Sequence, residues 1–246
     1  MRVGVPTEIK VHEYRVGLTP SAVREYVARG HQVMVQSGAG AGIMATDEAY
    51  KKAGAKIVKT AEEIFAKAEM VVKVKEPQPS EWVQLREGQL LFTYLHLAPD
   101  PKQAKGLVKS GCTAIAYETV TDDKGTLPLL APMSEVAGRL AIEAAGEAMR
   151  RSEGGAGILL GGVPGVPAGR VTVLGGGVVG THAARMAVGL GAEVTIVDRS
   201  IPRLRQLDEL FHGRVRTRYS TLDTIDAEIS VADAVIGAVL IPDASA

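Results

Sequence analysis

The sequence has a single cysteine, Cys112, which excludes an intramolecular disulfide framework and suits a reducing cytoplasm. It has no excess charge of either sign, since 28 basic residues balance 28 acidic ones, which argues against a nucleic-acid partner. No uncharged apolar run approaches the length of a membrane span, and the start MRVGVPTEIK lacks the apolar core of a signal peptide. No group of His, Cys, Asp and Glu has metal-ligand spacing. We therefore expect a cytoplasmic globular protein with no metal and no membrane partner.

Short β-branched runs alternate with amphipathic helical segments along almost the whole chain. Helix starts are recognisable at Thr19-Pro20, at Thr46-Asp47, at Thr60 with Glu63 three residues on, and at Ser200. This alternation predicts an α/β fold with parallel sheets that are covered by helices on both faces. The predicted strands are RVGVP, HQVMVQ, AKIV, EMVVKVK, QLLFTYLHL, CTAIAYE, VTVLG, EVTIVD, RVRTRYS and ADAVIGAVL.

Two segments interrupt the alternation near the middle of the chain. One long helix is predicted from Ser134 to about Arg151, and a Gly/Pro-rich connection, GGAGILLGGVPGVPAG, follows it. We place a domain boundary here, with domains at 1–130 and 131–246 that the long helix links. The second domain has only four predicted strands and is expected to be incomplete.

A glycine-rich turn carries the densest functional signal. Gly175, Gly177 and Gly180 form a G-x-G-x-x-G pattern directly after an apolar strand, and the pattern opens a helix. In dinucleotide-binding proteins the first glycine permits the tight turn, the second lets the backbone approach the pyrophosphate, and the third allows close helix–strand packing. The helix amino terminus then offers unpaired N–H groups to the phosphate. The alternative is a merely tight strand–helix turn. The pattern predicts a Rossmann-like doubly wound domain that binds a nicotinamide dinucleotide.

An acidic residue, Asp198, ends the next strand, EVTIVD. Its carboxylate is in the position from which ribose hydroxyls are bound, and it would repel a 2′-phosphate, so NAD is favoured over NADP. Arg199, Arg203 and Arg205 lie close in sequence and weaken that preference.

Cationic and titratable residues follow strands in the first half. Lys75 closes EMVVKVK, His96 closes QLLFTYLH, and Arg15 lies in the loop KVHEYRVGLTP after the first strand. Ligands of parallel α/β sheets bind beyond the carboxyl ends of the strands, so these residues are compatible with one cleft. The alternatives are a solvated loop arginine, a strand that simply ends in solvent and a structural histidine. Lys73 shares the face of Lys75 in a period-two strand and is interpreted as snorkelling or paired with an acid.

Five segments, in order and at plausible spacing, carry a resemblance to a known family: PTEIKVHEYRVGLTP, VVKVKEP, YLHLA, PMSEVAG and VLGGGVVG. Together they resemble alanine dehydrogenases, oxidoreductases that deaminate L-alanine to pyruvate and ammonia with NAD. The wider family includes the NAD-binding domain of proton-pumping transhydrogenase. The resemblance runs from Met1 to about Ile241 and implies a homo-oligomer, commonly a hexamer, with the long helix as a plausible interface element.

The resemblance also implies roles for individual residues. Arg15 and Lys75 would hold the substrate carboxylate and carbonyl region, and His96 would be the acid–base residue, so that His96 and Lys75 are the predicted catalytic pair. The first domain would be the substrate and catalytic domain and the second the NAD-binding domain. Taken with the glycine pattern, the predicted cofactor-binding residues are Ser134, Gly175, Gly177, Val178, Val179, Gly180, Asp198, Arg203, Ser220, Val239 and Leu240.

The chain departs from the family at its end, because the family continues well past residue 246. The missing part would supply further strands, a catalytic aspartate and a segment that returns to the first domain. A chain that truly ends at Ala246 is therefore expected to show little or no turnover. The alternatives to an alanine dehydrogenase are the NAD-handling part of a transhydrogenase, a lysine-forming opine dehydrogenase and a non-catalytic dinucleotide-binding module. The Arg- and Gln-containing loop of a transhydrogenase is absent where this sequence reads GTLPLLAPMSEVAG.

Overall fold

The computed structural model describes residues 1–239 and divides into two compact units, Met1–Leu129 and a second that begins at Leu130. Each unit is built on an all-parallel sheet with helices between successive strands. The predicted α/β fold with parallel sheets is confirmed. Ten strands lie where the sequence predicts them, and corrections concern only where certain elements begin and end.

The first unit contains a six-stranded sheet in the order β3-β2-β1-β4-β5-β6. The order reverses between β1 and β4, which makes the carboxyl ends of these two strands the topological switch point of the sheet. Its elements are β1 (Arg2–Val5), α1 (Pro20–Ala28), β2 (Gln32–Gln36), α2 (Asp47–Lys52), β3 (Lys56–Val58), α3 (Ala61–Lys67), β4 (Met70–Val72), α4 (Pro79–Trp82), β5 (Leu90–Thr93), α5 (Pro101–Ser110) and β6 (Thr113–Ala116).

Both faces of the first sheet are buried at its inner strands. Val33 and Val35 of β2 pack in the core beneath α1 and α2, whereas Met34 between them packs in a second core with α3. Successive strand residues point to opposite faces, so a strand covered on both sides is apolar at consecutive positions. This explains the continuous apolar runs from which the strands were predicted.

Side chains at the predicted helix starts cap the helices. Thr19, Thr46 and Thr60 each accept a hydrogen bond from a backbone N–H in the first turn of α1, α2 and α3. Ser200 does the same for a helix of the second unit. Each cap satisfies a donor that has no partner within the helix.

Several strands, β4 and β5 among them, are shorter than predicted. β4 ends at Val72 and β5 at Thr93, so Lys75 and His96 lie in the loops that follow rather than in the strands. Beyond β4, the backbone N–H of Val74 donates to a carboxylate oxygen of Glu8, at 2.6 Å, and not to a neighbouring strand. Period-two alternation therefore does not govern the positions of Lys73 and Lys75.

The second unit contains a four-stranded sheet, within the described residues, in the order β10-β7-β8-β9. Its core joins Ile142 with apolar residues of the sheet and of the helices on either side of it. The elements are α6 (Ala131–Ala148), β7 (Arg170–Leu174), α7 (Val178–Gly189), β8 (Glu193–Asp198), α8 (Ile201–Phe211), β9 (Arg216–Tyr219), α9 (Leu222–Ser230) and β10 (Ala234–Gly237).

The long helix α6 begins and ends three residues earlier than predicted. Leu130 is its N-cap, so Ser134 lies inside the helix rather than at its cap. Pro132 falls in the first turn, where a missing N–H costs nothing. The helix approaches α7 closely at Gly138, where a Cβ would lie 2.2 Å from the carbonyl oxygen of Val179.

Candidate active-site residues in the two units

The predicted substrate-binding and catalytic residues follow three neighbouring strands of the first unit. Arg15 lies in the loop after β1, Lys75 in the loop after β4 and His96 in the loop after β5. These strands are adjacent in the order β1-β4-β5, and all run parallel. The residues therefore share the carboxyl edge of the sheet, where ligands of parallel α/β sheets bind.

Lys73 lies in a buried ion cluster and is the structural residue of the VVKVKEP segment. Its ammonium is 0% exposed and lies 2.7 Å from Glu81 and 3.1 Å from Glu8, whose side chains are 4% and 2% exposed. The interpretation of Lys73 as snorkelling is wrong, and its pairing with an acid is confirmed. Burial raises the pKa of Glu8 against the opposing effect of Lys73. The cluster joins the loop after β1 to the loop after β4 at the switch point.

Neighbouring cations in these two loops are also paired with carboxylates. Lys10 forms an ion pair with Glu76, and Arg15 pairs with Glu13. Lys75 is half-buried, and among residues 1–239 its ammonium makes no salt bridge. An ammonium with no fixed carboxylate partner is available to an anionic or carbonyl ligand.

The Arg15 guanidinium is held in a defined orientation. Its Nε donates to Glu13 Oε1 at 2.8 Å, and a terminal nitrogen donates to Oε2 at 2.5 Å. These hydrogen bonds lower the pKa of Glu13, and the positive charge of Lys75 adds to the effect. The Glu13 side chain is almost buried, whereas that of Arg15 is 41% exposed. A planar, oriented guanidinium suits a carboxylate ligand.

His96 lies exposed in a left-handed backbone conformation, with φ of 47°. Its backbone N–H donates to Glu118 Oε1 at 2.7 Å, and the N–H of Leu95 donates to the same oxygen at 3.0 Å. The imidazole stacks on Tyr94, with ring centroids 6.0 Å apart and planes 18° apart. Left-handed conformations are uncommon for residues with a Cβ, and those that occur concentrate at functional sites.

The glycine-rich turn of the second unit has the geometry that the G-x-G-x-x-G pattern requires. Gly175 has φ of 98°, which favours glycine, and a Cβ on Gly180 would lie 1.8 Å from the carbonyl oxygen of Gly175. A Cβ on Gly177 would meet nothing within 4 Å, so open space adjoins the backbone there. Gly177 is the N-cap of α7 and has no side chain to bond the N–H groups of the first turn. Such a helix start suits a pyrophosphate.

Asp198 and Arg203 brace this turn. Asp198 accepts hydrogen bonds from the N–H groups of Gly176 and Ser200, both at 2.7 Å. Arg203 donates through Nε to the carbonyl oxygen of Gly176 at 2.7 Å and through a terminal nitrogen to the Thr181 hydroxyl at 2.7 Å. The carboxylate and the guanidinium therefore fix the turn through the N–H and the carbonyl oxygen of the same residue, Gly176.

The remaining predicted cofactor residues lie at the carboxyl ends of strands or at helix starts of the second unit. Ser220 follows β9, and its N–H donates to the carbonyl oxygen of Asp198 at 3.0 Å. Val178 and Val179 open α7, Val239 follows β10, and Ser134 is in the first turns of α6. Leu240 lies outside the described residues.

Sequence reasoning missed the carboxylates that hold these loops. Glu8 fixes the segment after β4, Glu13 orients Arg15, and Glu118 holds the backbone at His96. A signal existed in the cluster of lysines and glutamates around PTEIK and VVKVKEP, because a buried cation requires an acidic partner. The contacts of Glu8 span 65 to 67 residues of sequence, which no local pattern reports.

Some grooves among the described residues lie away from the candidate site. Grooves of the second unit lie along Arg170 and Glu193, at the amino ends of β7 and β8, opposite the glycine turn. Along residues 1–239, no helix is both long and apolar enough to cross a membrane. In the same range, His, Cys, Asp and Glu form no group of three that could hold a metal ion.

Two family models match the chain in sequence. The N-terminal domain model of alanine dehydrogenase/PNT matches residues 4–137, and the C-terminal domain model matches residues 141–246. Among curated relatives, the alanine dehydrogenase of Halomonas elongata is 55% identical over 246 residues, which is 100% of this chain and 66% of the relative. The alanine dehydrogenase of Bacillus subtilis is 53% identical over the same 246 residues, 65% of its length. The chain therefore spans slightly less than two thirds of these relatives.

Solved structures give the same result in three dimensions. An L-alanine dehydrogenase superposes with a TM-score of 0.93 at 51% identity, covering 100% of this chain and 68% of the other. A transhydrogenase from Sinorhizobium meliloti superposes with a TM-score of 0.82 at 25% identity, covering 100% of this chain and 72% of the other.

Proposed function

Because the chain belongs to the alanine dehydrogenase/PNT family, we propose that it takes part in the NAD-dependent oxidative deamination of L-alanine to pyruvate and ammonia. The observation that carries the proposal is the position of Arg15, Lys75 and His96 in the loops after three adjacent parallel strands. Identity of 55% to an alanine dehydrogenase, against 25% to a transhydrogenase structure, supports alanine dehydrogenase over transhydrogenase chemistry.

In this proposal the first unit binds and activates the amino acid. The Arg15 guanidinium, oriented by Glu13, pairs with the substrate carboxylate. Lys75 supplies positive charge to the oxygen that develops on the carbinolamine. The His96 imidazole removes a proton from the amino group and later transfers protons as water adds to the iminium and ammonia leaves. An imidazole has a reference pKa of about 6.5, so it exchanges protons in both directions near neutral pH.

The second unit is proposed to hold the dinucleotide. The open backbone at Gly177 and the uncapped first turn of α7 fit a pyrophosphate, and Asp198 fits ribose hydroxyls. When bound, the nicotinamide supplies the hydride acceptor of the reaction. The carboxylate of Asp198 would repel a 2′-phosphate, which supports NAD over NADP.

The test measures, with L-alanine at alkaline pH, NADH formation and NAD binding by the protein in which these 246 residues occur. We expect turnover with L-alanine and NAD, weaker turnover with NADP, and a loss of about 10² to 10⁴ in kcat/KM for His96→Ala, with a similar loss for Lys75→Ala. Lys52→Ala is the matched control, because Lys52 is an exposed lysine of α2 and its loss should leave kcat/KM unchanged.

Two results would contradict the proposal in different ways. Full kcat/KM in both Lys75→Ala and His96→Ala would show that the residue assignments are wrong. NAD binding without turnover would favour a dinucleotide-binding module, the alternative that a chain spanning 66% of its relatives leaves open.

A further inference from the structure

We propose that Glu118 is a positioning residue for His96, and that its carboxylate holds the backbone that presents the imidazole. The inference deepens the proposed function, because it concerns the geometry of the residue assigned there as acid–base. Glu118 lies in the short helical turn 117–119 that follows β6, the strand next to β5. Its side chain therefore reaches from the end of one strand to the loop at the end of its neighbour.

The contact is a two-point anchor on consecutive residues. Glu118 Oε1 accepts the N–H of Leu95 at 3.0 Å and the N–H of His96 at 2.7 Å, and Oε2 lies 3.3 Å from the Leu95 nitrogen. Two successive N–H groups that converge on one anion form an arrangement that proteins use to bind anions. Here the anion is a side chain of the protein itself.

The anchored backbone of His96 is in a conformation that is uncommon for a residue with a Cβ. Its φ of 47° is in the left-handed region, which is disfavoured for a residue with a Cβ. In that conformation the imidazole stacks on the Tyr94 ring, and the Tyr94 hydroxyl is itself fixed by donation to the carbonyl oxygen of Leu129 at 2.7 Å. Gln103 Nε2 also donates to the Leu95 carbonyl oxygen at 2.8 Å, so the same peptide has a second attachment. Without the Glu118 carboxylate, the two N–H groups lose their acceptor, and we expect the backbone that carries the imidazole to become more mobile.

The strand ladder does not provide this support. β5 ends at Thr93, and the last backbone bond beyond it is from the N–H of Tyr94 to the carbonyl oxygen of Val74 at 3.2 Å. Leu95 and His96 come next, and Glu118 is the acceptor of both N–H groups. The Glu118 carboxylate therefore accepts the hydrogen bonds of two residues that follow the end of the strand.

Hydrogen–deuterium exchange with mass spectrometry tests the anchor directly and needs no turnover. We expect Glu118→Ala to speed exchange of the Leu95 and His96 amides at least about tenfold, read in a peptide spanning residues 93–99. Glu118→Gln should lie between the alanine variant and the wild type, because one acceptor oxygen remains. Asp122→Ala is the matched control: Asp122 also accepts two backbone N–H groups, from Lys124 and Thr126, but none at His96. Unchanged exchange in Glu118→Ala, or equal acceleration in Asp122→Ala, would overturn the proposal.

A double-mutant cycle tests whether the anchor acts through His96. We expect Glu118→Ala to lower kcat about tenfold to a hundredfold with a smaller effect on KM. In a His96→Ala background the same substitution should change kcat less than about twofold. An equal loss in both backgrounds would show that Glu118 acts independently of His96 and would overturn the proposal. Full activity of His96→Ala alone would instead remove the acid–base assignment of the proposed function, and the exchange experiment would still decide whether Glu118 holds this backbone.

Discussion

Two lysines that are two positions apart have opposite environments at the residue scale. Lys73 is buried between Glu8 and Glu81, whereas Lys75 is half-buried and lacks a salt bridge within the described chain. The sequence VVKVKEP shows only that both are lysines after an apolar run. The difference arises from Glu8, whose carboxylate binds both the Lys73 ammonium and the Val74 N–H. A contact across 66 residues cannot be read from local alternation.

Substitution of the buried lysine, Lys73, is expected to reduce stability, whereas substitution of Lys75 is expected to reduce activity. Lys73→Met leaves two buried carboxylates without their cation, so we expect a loss of about 3–5 kcal/mol in the unfolding free energy of the first unit. The measurement is urea unfolding followed by fluorescence of Trp82, the single tryptophan of the sequence, which lies in α4 next to Glu81. A loss below about 1 kcal/mol would show that the cluster does not stabilise the unit.

Lys75→Met is the control for that experiment, because it makes the same substitution two positions away. We expect its Trp82 unfolding transition to move by less than about 1 kcal/mol, since no buried charge loses its partner. Its effect should instead be on turnover, so the two variants together distinguish a structural lysine from a functional one.

At the scale of helices, strands and turns, the sequence predicted most of the features that depend only on neighbouring residues. Thr19, Thr46, Thr60 and Ser200 cap the helices that they were expected to cap, because a cap depends on a few neighbouring residues. The start of α6 was misplaced because Pro132 and Ser134 both suit a helix start, and in the structure Pro132 lies in the first turn. The glycine turn was predicted from its pattern, and at Gly175 and Gly180 the structure shows a steric reason for glycine.

Two glycines of that turn predict opposite outcomes for the same substitution. Gly180→Ala places a Cβ 1.8 Å from the Gly175 carbonyl oxygen, so α7 must move, and we expect the second unit to lose about 1–3 kcal/mol or more. The Cβ introduced by Gly177→Ala meets nothing within 4 Å, so the unfolding free energy should change by less than about 0.5 kcal/mol. Hydrogen exchange of buried amides in β7 and β8 measures both effects.

The Gly177→Ala variant also tests where the dinucleotide binds. If the pyrophosphate occupies the open space at Gly177, the added methyl group would obstruct it, and we expect NAD affinity to fall at least about tenfold without loss of stability. Titration calorimetry on Gly177→Ala and the wild type measures this. Equal NAD affinities would show that the ligand does not approach the backbone at this residue.

At the scale of the whole molecule, alternation of strands and helices was sufficient to predict the α/β class, because burial of a parallel sheet on both faces leaves a distinct apolar pattern. Strand order was not predictable in the same way. The reversal between β1 and β4, which defines the ligand edge of the first sheet, depends on pairing between strands that are far apart in sequence, such as Val3 with Met70. Each unit also has a core of its own, so a ligand held by one unit should stabilise that unit.

The two proposed ligands are therefore expected to protect different parts of the chain. NAD at about 100 times its dissociation constant should raise the unfolding free energy of the second unit by about 2.7 kcal/mol, because binding to the folded state alone stabilises it by mass action. Pyruvate should instead slow exchange in the loops after β1, β4 and β5, which contain Arg15, Lys75 and His96. Hydrogen exchange measured with each ligand alone gives both patterns. Gly177→Ala at the same NAD concentration is the control, and it should lose the protection of the second unit by NAD. Protection by NAD that spares the first turn of α7 and the end of β8 would exclude the glycine turn as the dinucleotide site.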